Sequence, residues 1–402
     1  MSLLSLPDGA TNRRGFLGAA LATAASYGRI WGANDRIRVG AIGTGERCKY
    51  LMEALGRVGG NEIVAVCDVY EPHRLAAKTK FAPAATDYLD HREVLDRKDV
   101  DAVVIGTPDH WHVPITIDAV RAEKDVYCEK PVTHTLAEEE PLLAAVRESK
   151  RVVQTGMQQR SWKHYAHAKD LIASGGLGQV TMIRTYWYQN HTANPDIGPG
   201  PELGKLDWKR FLGPVADRPF DRDQYENWRW YWDFGGGAMT DLFVHWVDVA
   251  HWYMDDDQPL RATASGVKAL LQRRQTPDTM SAALIYAKSL VEFDCALLGY
   301  IEGGGMMIRG TKAAMRLHRS GFEVYGEITG YTDAFQPPPA KLKEKTVRDG
   351  AIDHLENWLE CVRTRATPNA PVEVGISAAH AGHIANLAMR GSGVWVRGAA
   401  RE

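Results

Sequence analysis

Residues 36–48 read RIRVGAIGTGERC, a short apolar run that leads directly into two closely spaced glycines. The run Arg36 to Ile42 has the length and composition of a buried strand. The residues after the glycines show the i, i+3, i+4, i+7 spacing of one helix face: Cys48, Leu51, Met52 and Leu55. Glycines between a strand and a helix are the setting of the dinucleotide-binding motif, so this stretch predicts a nucleotide site.

Each position of this motif has a physical role. Gly43 permits the tight turn, and Gly45 lets the backbone approach a pyrophosphate at the helix N-terminus. Cys48 stands where the motif has a third glycine, which weakens the match without abolishing it. A second strand, Glu62 to Cys67, ends in Asp68, 25 residues after Gly43 and near the usual distance (about 20) for the acid that binds the ribose hydroxyls. A carboxylate there repels a 2′-phosphate, so we expect NAD, with NADP the less favoured cofactor.

Polar residues follow the next two predicted strands. The strand Asp101 to Gly106 runs into Thr107-Pro108-Asp109-His110-Trp111-His112, and the strand Asp125 to Cys128 ends in Glu129-Lys130-Pro131. Strand and helix alternate along this part of the chain, which predicts a parallel α/β sheet. Ligands of such sheets bind at the carboxyl ends of the strands, so these strand ends are expected to meet at one site.

These motifs resemble the Gfo/Idh/MocA family of oxidoreductases, in particular its bacterial sugar and polyol dehydrogenases. Glu129-Lys130-Pro131 at the end of a Rossmann strand is the most specific of them. The resemblance implies that Lys130 touches both the nicotinamide ribose and the substrate. A second hallmark of the family, Asp-x-x-x-His on a helix of the second domain, matches Asp241 and His245. The resemblance covers nearly all of the chain after residue 34 and implies an open sheet whose far face often supports oligomers.

The second half of the chain predicts strands more than helices. Several stretches alternate with a period of two, as in a mainly antiparallel sheet: 179–189, 261–271, 280–287 and 290–298. Helices are expected at 351–362 and from about 376 to 390. The predicted fold class is therefore α/β, with an N-terminal Rossmann dinucleotide-binding domain and a C-terminal α+β domain with an open, mainly antiparallel sheet. The predicted boundaries are a leader at 1–33, the Rossmann domain at 34–156 and the substrate-binding domain at 157–402, whose last helix is a candidate to pack back on the Rossmann domain.

The N-terminus has the features of an export signal. Arg13 and Arg14 precede a mild apolar stretch, Phe16 to Ser26, which is too short to span a bilayer, for which a helix needs roughly 20 residues. A basic segment before a short apolar one is typical of signal peptides, and the twin arginine resembles the bacterial Tat type. An ordinary amphipathic helix is the alternative. We therefore predict a periplasmic or otherwise exported protein, with cleavage left open because Trp31 is bulky for the position two residues before Ala33.

Composition excludes several classes of protein. The 402 residues are 45% hydrophobic and 24% charged, which is ordinary for a globular chain. The formal net charge of −2 offers no basic excess for nucleic acid, and no stretch is long and apolar enough for stable membrane insertion. The five cysteines form no CxxC pair, so we interpret each as a small core residue. Seven of the twelve tryptophans fall between residues 187 and 252, which suggests a pocket lined by aromatic rings.

Three residues are assigned to catalysis: Lys130, Asp241 and His245. Asp241 and His245 share a helix face with Asp248 through i, i+4, i+7 spacing. An imidazole held by a carboxylate suits acid–base chemistry, so His245 is the predicted general base and Asp241 the residue that orients it. Lys130 would stabilise the developing alkoxide. A metal site and a merely polar helix face are the alternatives, and we predict no metal because no further ligand cluster is evident.

The remaining candidate residues fall into two groups. Cofactor binding is assigned to Gly43, Thr44, Gly45, Glu46, Arg47, Asp68, Thr107, Pro108, His110, His112, Glu129 and Lys130. Substrate binding is assigned to Arg160, His191, Trp228, Trp230 and Trp232, together with Asp241 and His245. Flat rings can stack on the apolar faces of sugars, although core packing is the alternative for each tryptophan. Metal ligation is the alternative for the pair His110 and His112.

The sequence thus predicts an NAD(P)-dependent oxidoreductase that transfers hydride between nicotinamide and a hydroxyl-bearing carbon of a sugar or polyol. An exported protein meets little free NAD, so we expect a tightly bound cofactor that is recycled internally. A redox-neutral glycoside hydrolase or epimerase acting through a transient keto-sugar is the first alternative. Exported relatives of that kind often lack the lysine of Glu-Lys-Pro, so Lys130 favours plain oxidoreductase chemistry. A non-catalytic NAD-binding protein is the second alternative. The expected partners are a small carbohydrate or glycoside and further copies of the chain, in a homodimer or homotetramer.

Overall fold

The computed structural model describes residues 36–193, 203–327, 338–346 and 349–398. The predicted leader, residues 1–33, lies outside these stretches. No helix within them is both long enough and apolar enough to cross a lipid bilayer.

The N-terminal part of the described chain is built on a six-stranded parallel sheet. Its strands are β1 (Ile37–Ile42), β2 (Asn61–Cys67), β3 (Thr86–Tyr88), β4 (Ala102–Ile105), β5 (Asp125–Cys128) and β6 (Val153–Thr155). Helices run between them: α1 (Glu46–Val58), α2 (Glu71–Phe81), α3 (His91–Leu95), α4 (His112–Arg121) and α5 (Glu139–Ser149). The strand order is β3-β2-β1-β4-β5-β6. The order reverses between β1 and β4, and dinucleotides bind at this switch point in Rossmann folds, so the predicted fold of this part is confirmed.

Two glycines let the sheet and helix α1 approach each other at the switch point. Gly43 has a φ of 76°, and a Cβ there would lie 2.5 Å from the side chain of Thr107. Gly106 follows β4, and a Cβ there would lie 2.8 Å from the Cβ of Cys48. The motif has a glycine where this chain has Cys48. Gly106, at the end of the facing strand, supplies the missing space, so helix α1 still packs closely against the sheet.

The second sheet has nine strands within the described residues and is mainly antiparallel, as predicted. In chain order they are β7 (Val180–Tyr188), β8 (Arg261–Val267), β9 (Thr279–Ile285), β10 (Leu290–Ala296), β11 (Gly304–Gly310), β12 (Ala313–His318), β13 (Gly321–Gly326), β14 (Leu342–Lys345) and β15 (Val394–Val396). Their spatial order is β14-β13-β12-β11-β7-β10-β9-β8-β15. Among the described strand pairs of this second sheet, only β7 and β10 run parallel to each other.

Helices cover one face of this sheet. The helices of this part are α6 (Lys163–Ala173), α7 (Trp208–Leu212), α8 (Arg222–Glu226), α9 (Val244–Met254), α10 (Gly350–Thr364) and α11 (Val372–Arg390). Alternate residues of β10 are buried, and the ring of Phe293 stacks 4.8 Å from that of Phe243, just before α9. This packing fixes α9, and with it His245, against the sheet.

The C-terminal helices connect the two parts of the fold. The sequence predicts that all of 157–402 belongs to the second domain. In the structure, α10 packs into the core of the first domain instead. Its residues Leu355 and Trp358 belong to the same buried cluster as Leu51 and Met52 of α1. Helix α11 begins four residues earlier than predicted, and a Cβ on its Gly375 would lie 2.5 Å from the side chain of Thr155 in β6. A helix face that is apolar in sequence does not reveal which sheet it will cover.

The close approach at Gly106 provides a test of the fold. We expect Gly106→Ala to reduce the free energy of unfolding by about 1–3 kcal/mol, because the added methyl group overlaps the Cβ of Cys48. Gly56→Ala is the matched control: this glycine is exposed in α1, and a Cβ there would meet no atom within 4 Å. Alanine there should leave stability unchanged or raise it by about 0.5–1 kcal/mol. Urea denaturation of both variants measures the difference, and equal effects would contradict this packing.

Candidate active site

A cavity of about 500 Å³ opens at the carboxyl ends of the central strands of the first sheet. Seven of the residues assigned to the cofactor line it: Gly43, Gly45, Glu46, Arg47, Asp68, Thr107 and Pro108. Gly45 directly precedes α1, and a Cβ there would meet no atom within 4 Å, so the helix N-terminus is accessible to a phosphate. Asp68 accepts a hydrogen bond from the backbone N–H of Tyr70 at 2.8 Å. These features fit a dinucleotide.

The second domain closes the other side of this cavity. Leu203, Arg210, Tyr225, Trp228 and Arg229 line it together with the strand ends. The backbone N–H of Asp207 donates to the carbonyl of Val69 at 2.9 Å, and the indole of Trp111 donates to the carbonyl of Phe211 at 2.9 Å. The segment from Leu203 to Arg229, called the cover segment below, is therefore anchored to the first domain while it walls the cavity.

Several residues assigned to the cofactor lie behind the cavity wall instead. Thr44 is buried, and its hydroxyl donates to Asp68 at 3.4 Å. His110 does not line the cavity: Nε2 lies 2.8 Å from the carbonyl of Phe211, and burial lowers its pKa to about 3. His112 has Nδ1 2.6 Å from the carbonyl of Pro131 and Nε2 3.0 Å from that of Thr107. Both histidines therefore position backbone around the site, because Nε2 of His110 and both ring nitrogens of His112 are turned to carbonyl groups.

Lys130 and Asp241 meet between the two domains. The Nζ of Lys130 lies 2.6 Å from Oδ1 of Asp241 and 2.8 Å from its backbone carbonyl. Arg229 donates to the same carboxylate at 3.3 Å. Burial alone would raise the pKa of Asp241, but the two positive charges outweigh it and lower the pKa to about 2. Asp241 is therefore a carboxylate at every pH at which the protein would work.

The partner of Asp241 differs from the predicted one. The sequence predicts that Asp241 orients His245, but the hydrogen bonds of its carboxylate go to Lys130 and Arg229. Residues Met239–Phe243 form a π-helical turn, and the α-helix begins only at Val244. The i, i+4 spacing therefore spans a change of helix type, which a pattern of residue spacing does not reveal.

His245 is a neutral imidazole close to this ion pair. Its side chain is 6% exposed, and within the described residues no side chain or backbone group forms a hydrogen bond with either ring nitrogen. Burial lowers its pKa well below the ordinary value, and the charges of Lys130, Arg319 and Arg47 lower it further. A neutral imidazole with a free ring nitrogen can accept a proton near neutral pH.

Glu129 links the Lys130 loop to the cofactor cavity. It is 3% exposed and accepts a hydrogen bond from Arg47 at 2.8 Å. The other end of the Arg47 guanidinium donates to Gln158 at 3.0 Å. Glu129 thus supports the site through Arg47 rather than by lining the cavity.

The aromatic residues assigned to the substrate separate into three environments. Trp228 lines the cofactor cavity, with the Arg229 guanidinium 4.2 Å from its ring centre. Trp230 is buried against His191, whose ring lies 5.6 Å away. Trp232 lies at a different cavity, with Arg390 4.5 Å over its ring. Trp232 therefore lies outside the proposed site. Trp228, Trp230 and Trp232 are spaced two residues apart, but the chain here is not a strand, so their side chains do not point to one side.

The two polar residues assigned to the substrate also differ in placement. Arg160 donates to Asp248 at 2.8 Å and lies 5.4 Å from the ring of Trp252, so it is a structural ion-pair residue at another cavity. Nε2 of His191 donates to Oε1 of Gln189 at 2.9 Å. Burial and the charge of Arg274 lower the pKa of His191, and the charge of Asp241 opposes them. His191 thus stays a candidate near the catalytic group.

Sequence analysis missed two residues close to the catalytic group. Arg229 touches both the cofactor cavity and Asp241. Trp187, near the end of β7, stacks with its ring centre 6.0 Å from that of His245, at 26° to it. The high local density of tryptophan was the available signal for Trp187, and the position of Arg229 between two tryptophans was the signal for Arg229.

Comparison with known proteins supports the two-domain fold described above. Family models match residues 37–157 (oxidoreductase family, NAD-binding Rossmann fold) and 165–316 (GFO/IDH/MocA C-terminal domain). An inositol 2-dehydrogenase from Rubrobacter xylanophilus is 32% identical over 333 residues, which cover 82% of this chain and 79% of that protein. The chain belongs to the Gfo/Idh/MocA oxidoreductase family. Its N-terminal domain is the NAD-binding Rossmann domain of that family.

Other relatives of this Gfo/Idh/MocA protein match over shorter stretches or in fold alone. An inositol 2-dehydrogenase from Salmonella typhimurium is 34% identical over 222 residues, and the match spans about half of each chain (55% and 54%). The structure of levoglucosan dehydrogenase in complex with NADH and levoglucosan superimposes with a TM-score of 0.71 at 18% identity, covering 90% of this chain and all of that one. That similarity shows a shared fold.

The depressed pKa of Asp241 predicts how stability depends on pH. Its pKa falls from 3.8 to about 2 on folding, so the folded state binds this proton less tightly and the carboxylate stabilises the fold above about pH 4, by about 2 kcal/mol. This contribution is lost as the pH falls from about 4 to about 2. We expect Asp241→Asn to be less stable than the wild type at pH 7, with the difference shrinking in acid.

Urea denaturation between pH 7 and pH 3 measures this difference. Asp233→Asn is the control, since Asp233 forms a partly exposed ion pair with Arg218, and its loss should lower the free energy of unfolding by less than about 1 kcal/mol. If the free energies of unfolding of the wild type and Asp241→Asn differ by the same amount at pH 7 and pH 3, the charge of the Asp241 carboxylate does not stabilise the folded state.

Proposed function

We propose that this family member is an NAD-dependent oxidoreductase of sugars or polyols. The contact between Lys130 and Asp241 beside the cofactor cavity supports this most strongly. Two arginines that line the cavity connect it to this pair by hydrogen bonds. Arg229 donates to Asp241 directly, and Arg47 donates to Glu129, which accepts from the backbone N–H of Lys130 at 3.3 Å. Relatives named as inositol and levoglucosan dehydrogenases support the substrate class.

The proposed roles follow from charge and protonation. NAD, when bound, takes the hydride from the substrate carbon or returns it. Gly43, Gly45 and Asp68 would hold the cofactor, through the turn, the open helix N-terminus and the ribose hydroxyls. His245, neutral and with a free ring nitrogen, would take the proton of the substrate hydroxyl. Lys130 would donate a hydrogen bond to the oxygen on which negative charge develops.

Asp241 is a positioning residue in this scheme. It holds the Nζ of Lys130 through both its carboxylate and its carbonyl, so the ammonium has one defined position. Arg229 fixes the carboxylate from the other side. A preorganised donor needs no reorganisation when charge develops on the substrate, which is the condition for strong electrostatic stabilisation.

We further propose that the cofactor stays bound between turnovers and that the protein is exported. The cover segment supports the first proposal, because a dinucleotide in the cavity would be enclosed by both domains. The twin arginine at Arg13 and Arg14 supports the second. A homodimer or homotetramer is proposed through the sheet face opposite α9, where Tyr186 and Tyr188 stack 5.9 Å apart.

Anaerobic mixing of the holoprotein with a panel of sugars, polyols and glycosides tests the proposed activity. We expect absorbance of reduced nicotinamide to appear with at least one sugar or polyol. Lys130→Met should slow this step by about 10²–10³-fold with the nucleotide content unchanged, because one donor to the developing charge is lost. Glycoside cleavage without net reduction would instead favour the redox-neutral alternative.

Lys169→Met is the matched control for this experiment. Like Lys130, Lys169 binds a carboxylate, that of Asp255 at 2.7 Å, and a backbone carbonyl, that of Trp252, but it lies away from the cavity. Its loss should leave the rate unchanged. Full turnover in Lys130→Met would remove Lys130 from the proposed mechanism.

Nucleotide content tests whether the cofactor is retained. We expect about one NAD per purified chain, and Trp228→Ala should raise the rate of nucleotide release about tenfold, since stacking of an aromatic ring on a base contributes roughly 1–3 kcal/mol. Trp232→Ala, in the same stretch but at another cavity, is the control and should release nucleotide as the wild type does. Protein that purifies without nucleotide and exchanges it rapidly would contradict internal recycling.

A further inference from the structure

The imidazole of His245 lacks the hydrogen bond that usually orients a histidine base. In such sites a carboxylate or a carbonyl group accepts from the second ring nitrogen, and this contact fixes the plane and the tautomer of the ring. Nδ1 of His245 is buried and has no hydrogen-bond partner within the described residues. Asp241, the partner that the sequence predicts, binds Lys130 and Arg229. Packing must therefore set the orientation of the His245 ring.

The ring of Trp187, near the end of β7, packs against this imidazole. The two ring centres lie 6.0 Å apart and the ring planes differ by 26°, which is an offset stack. In the part of the chain that the structure describes, no other aromatic ring stacks on His245. An offset stack constrains the planes of both rings, because tilting or sliding either ring loses contacts between them. The indole thus gives the imidazole a defined plane.

Trp187 is itself held from several sides. Its ring centre lies 5.9 Å from that of Trp246, a fully buried neighbour of His245 on α9. Trp187 also pairs in register with Gly304 of β11, and a Cβ on that glycine would lie 3.4 Å from the indole. The indole therefore lies across a strand position that has no side chain. Because the sheet and α9 both contact it, the ring has little freedom to turn.

Arg319, in the turn between β12 and β13, contacts the same indole. Its guanidinium carbon is 4.9 Å from the ring centre, a distance typical of cation–π contacts. Its Nε is buried without a hydrogen-bond acceptor within the described residues, so the aromatic ring is an important partner for this charge. Burial lowers the pKa of His245 most, and the charges of Lys130 and Arg319 lower it further. The third contact of the indole thus also helps to keep the imidazole neutral.

We propose that Trp187 is the positioning residue of the His245 base: its indole, held by the sheet, α9 and Arg319, sets the plane of the imidazole. This deepens the proposed function and rests on it, since it concerns the residue that would take the substrate proton. An aromatic partner orients an imidazole without placing a negative charge beside it. A carboxylate partner would instead stabilise the imidazolium and raise the pKa of the base. The stack therefore provides orientation while the imidazole stays neutral.

Proton NMR of the NAD-loaded protein with isotope-labelled histidine tests the stack without requiring turnover. The ring current of an indole shifts the protons of a stacked imidazole upfield, and the signal that disappears in His245→Gln identifies His245. We expect Trp187→Leu to move this signal downfield, and Trp187→Phe, which keeps a ring with a smaller ring current, to move it by less.

Trp252→Leu is the matched control for both experiments on Trp187. Trp252 is also a partly buried tryptophan beneath an arginine, with the Arg160 guanidinium 5.4 Å from its ring centre. Its ring contacts Tyr253 rather than His245, so this variant should leave the His245 signal unchanged.

Turnover distinguishes a positioning role from a structural one. With the sugar or polyol that reduces nicotinamide fastest, Trp187→Leu should lower kcat about 10–100-fold, because a displaced base no longer meets the substrate proton. KM and nucleotide content should stay close to those of the wild type. Trp187→Phe should keep kcat within about threefold of the wild type, since a smaller ring can still stack. Trp252→Leu should leave kcat unchanged.

Four results would each overturn the proposal. They are a His245 signal that does not move in Trp187→Leu, full kcat in that variant, an equal loss of kcat in Trp252→Leu, and a loss in Trp187→Phe as large as in Trp187→Leu. Failure of the proposed function is distinguishable from these. If no sugar or polyol reduces nicotinamide in the wild type, the oxidoreductase assignment fails, while the NMR comparison still decides whether Trp187 orients His245.

Discussion

The contact between the Lys130 ammonium and Asp241 joins the two domains at the point where chemistry is proposed. The two residues are 111 positions apart in sequence, and both side chains are more than four-fifths removed from solvent. Removing two charges from water is costly, and the pair is favourable only because its geometry is good and Arg229 adds a second positive charge beside the carboxylate. The pair therefore fixes the relative position of the Lys130 loop and the π-helical turn before α9. Its net charge with Arg229 is positive, which helps to keep the imidazole of His245 neutral.

The surrounding fold serves to hold this contact. Close packing at Gly106 sets the position of α1 on the sheet, and α1 carries Arg47, which holds Glu129 next to Lys130. On the other side, Phe293 packs against Phe243 and thereby fixes the start of α9. Helix α10 lies against α1, so the chain returns to the first domain after it has built the second. Errors of a single ångström in any of these contacts would misplace a catalytic group, and this explains why the site depends on packing far from it.

The sequence predicts regular elements and strand-end motifs well because both depend on local patterns. The Rossmann order, the antiparallel second sheet, the glycine turn and Asp68 all follow from spacing that is visible in a single chain. The partners of side chains were harder to predict. The carboxylate of Asp241 binds Lys130 and Arg229, since a π-helical turn interrupts the expected helix face. Likewise His110 and Arg160 have the right residue types, but their nearest polar atoms are a carbonyl and a carboxylate in the protein interior.

A neutral His245 next to a fixed Lys130 ammonium is the core of the proposed chemistry, and the pH dependence of kcat/KM examines it. The substrate should have no group that titrates between pH 5 and pH 8, so that the enzyme alone sets the profile. We predict that the acid limb of the profile has its midpoint below 6.5, the ordinary pKa of histidine, because burial and the neighbouring positive charges lower the pKa of His245. A midpoint at or above 6.5 would show that burial and the neighbouring positive charges do not hold the imidazole of His245 neutral, and it would contradict this electrostatic setting of the site.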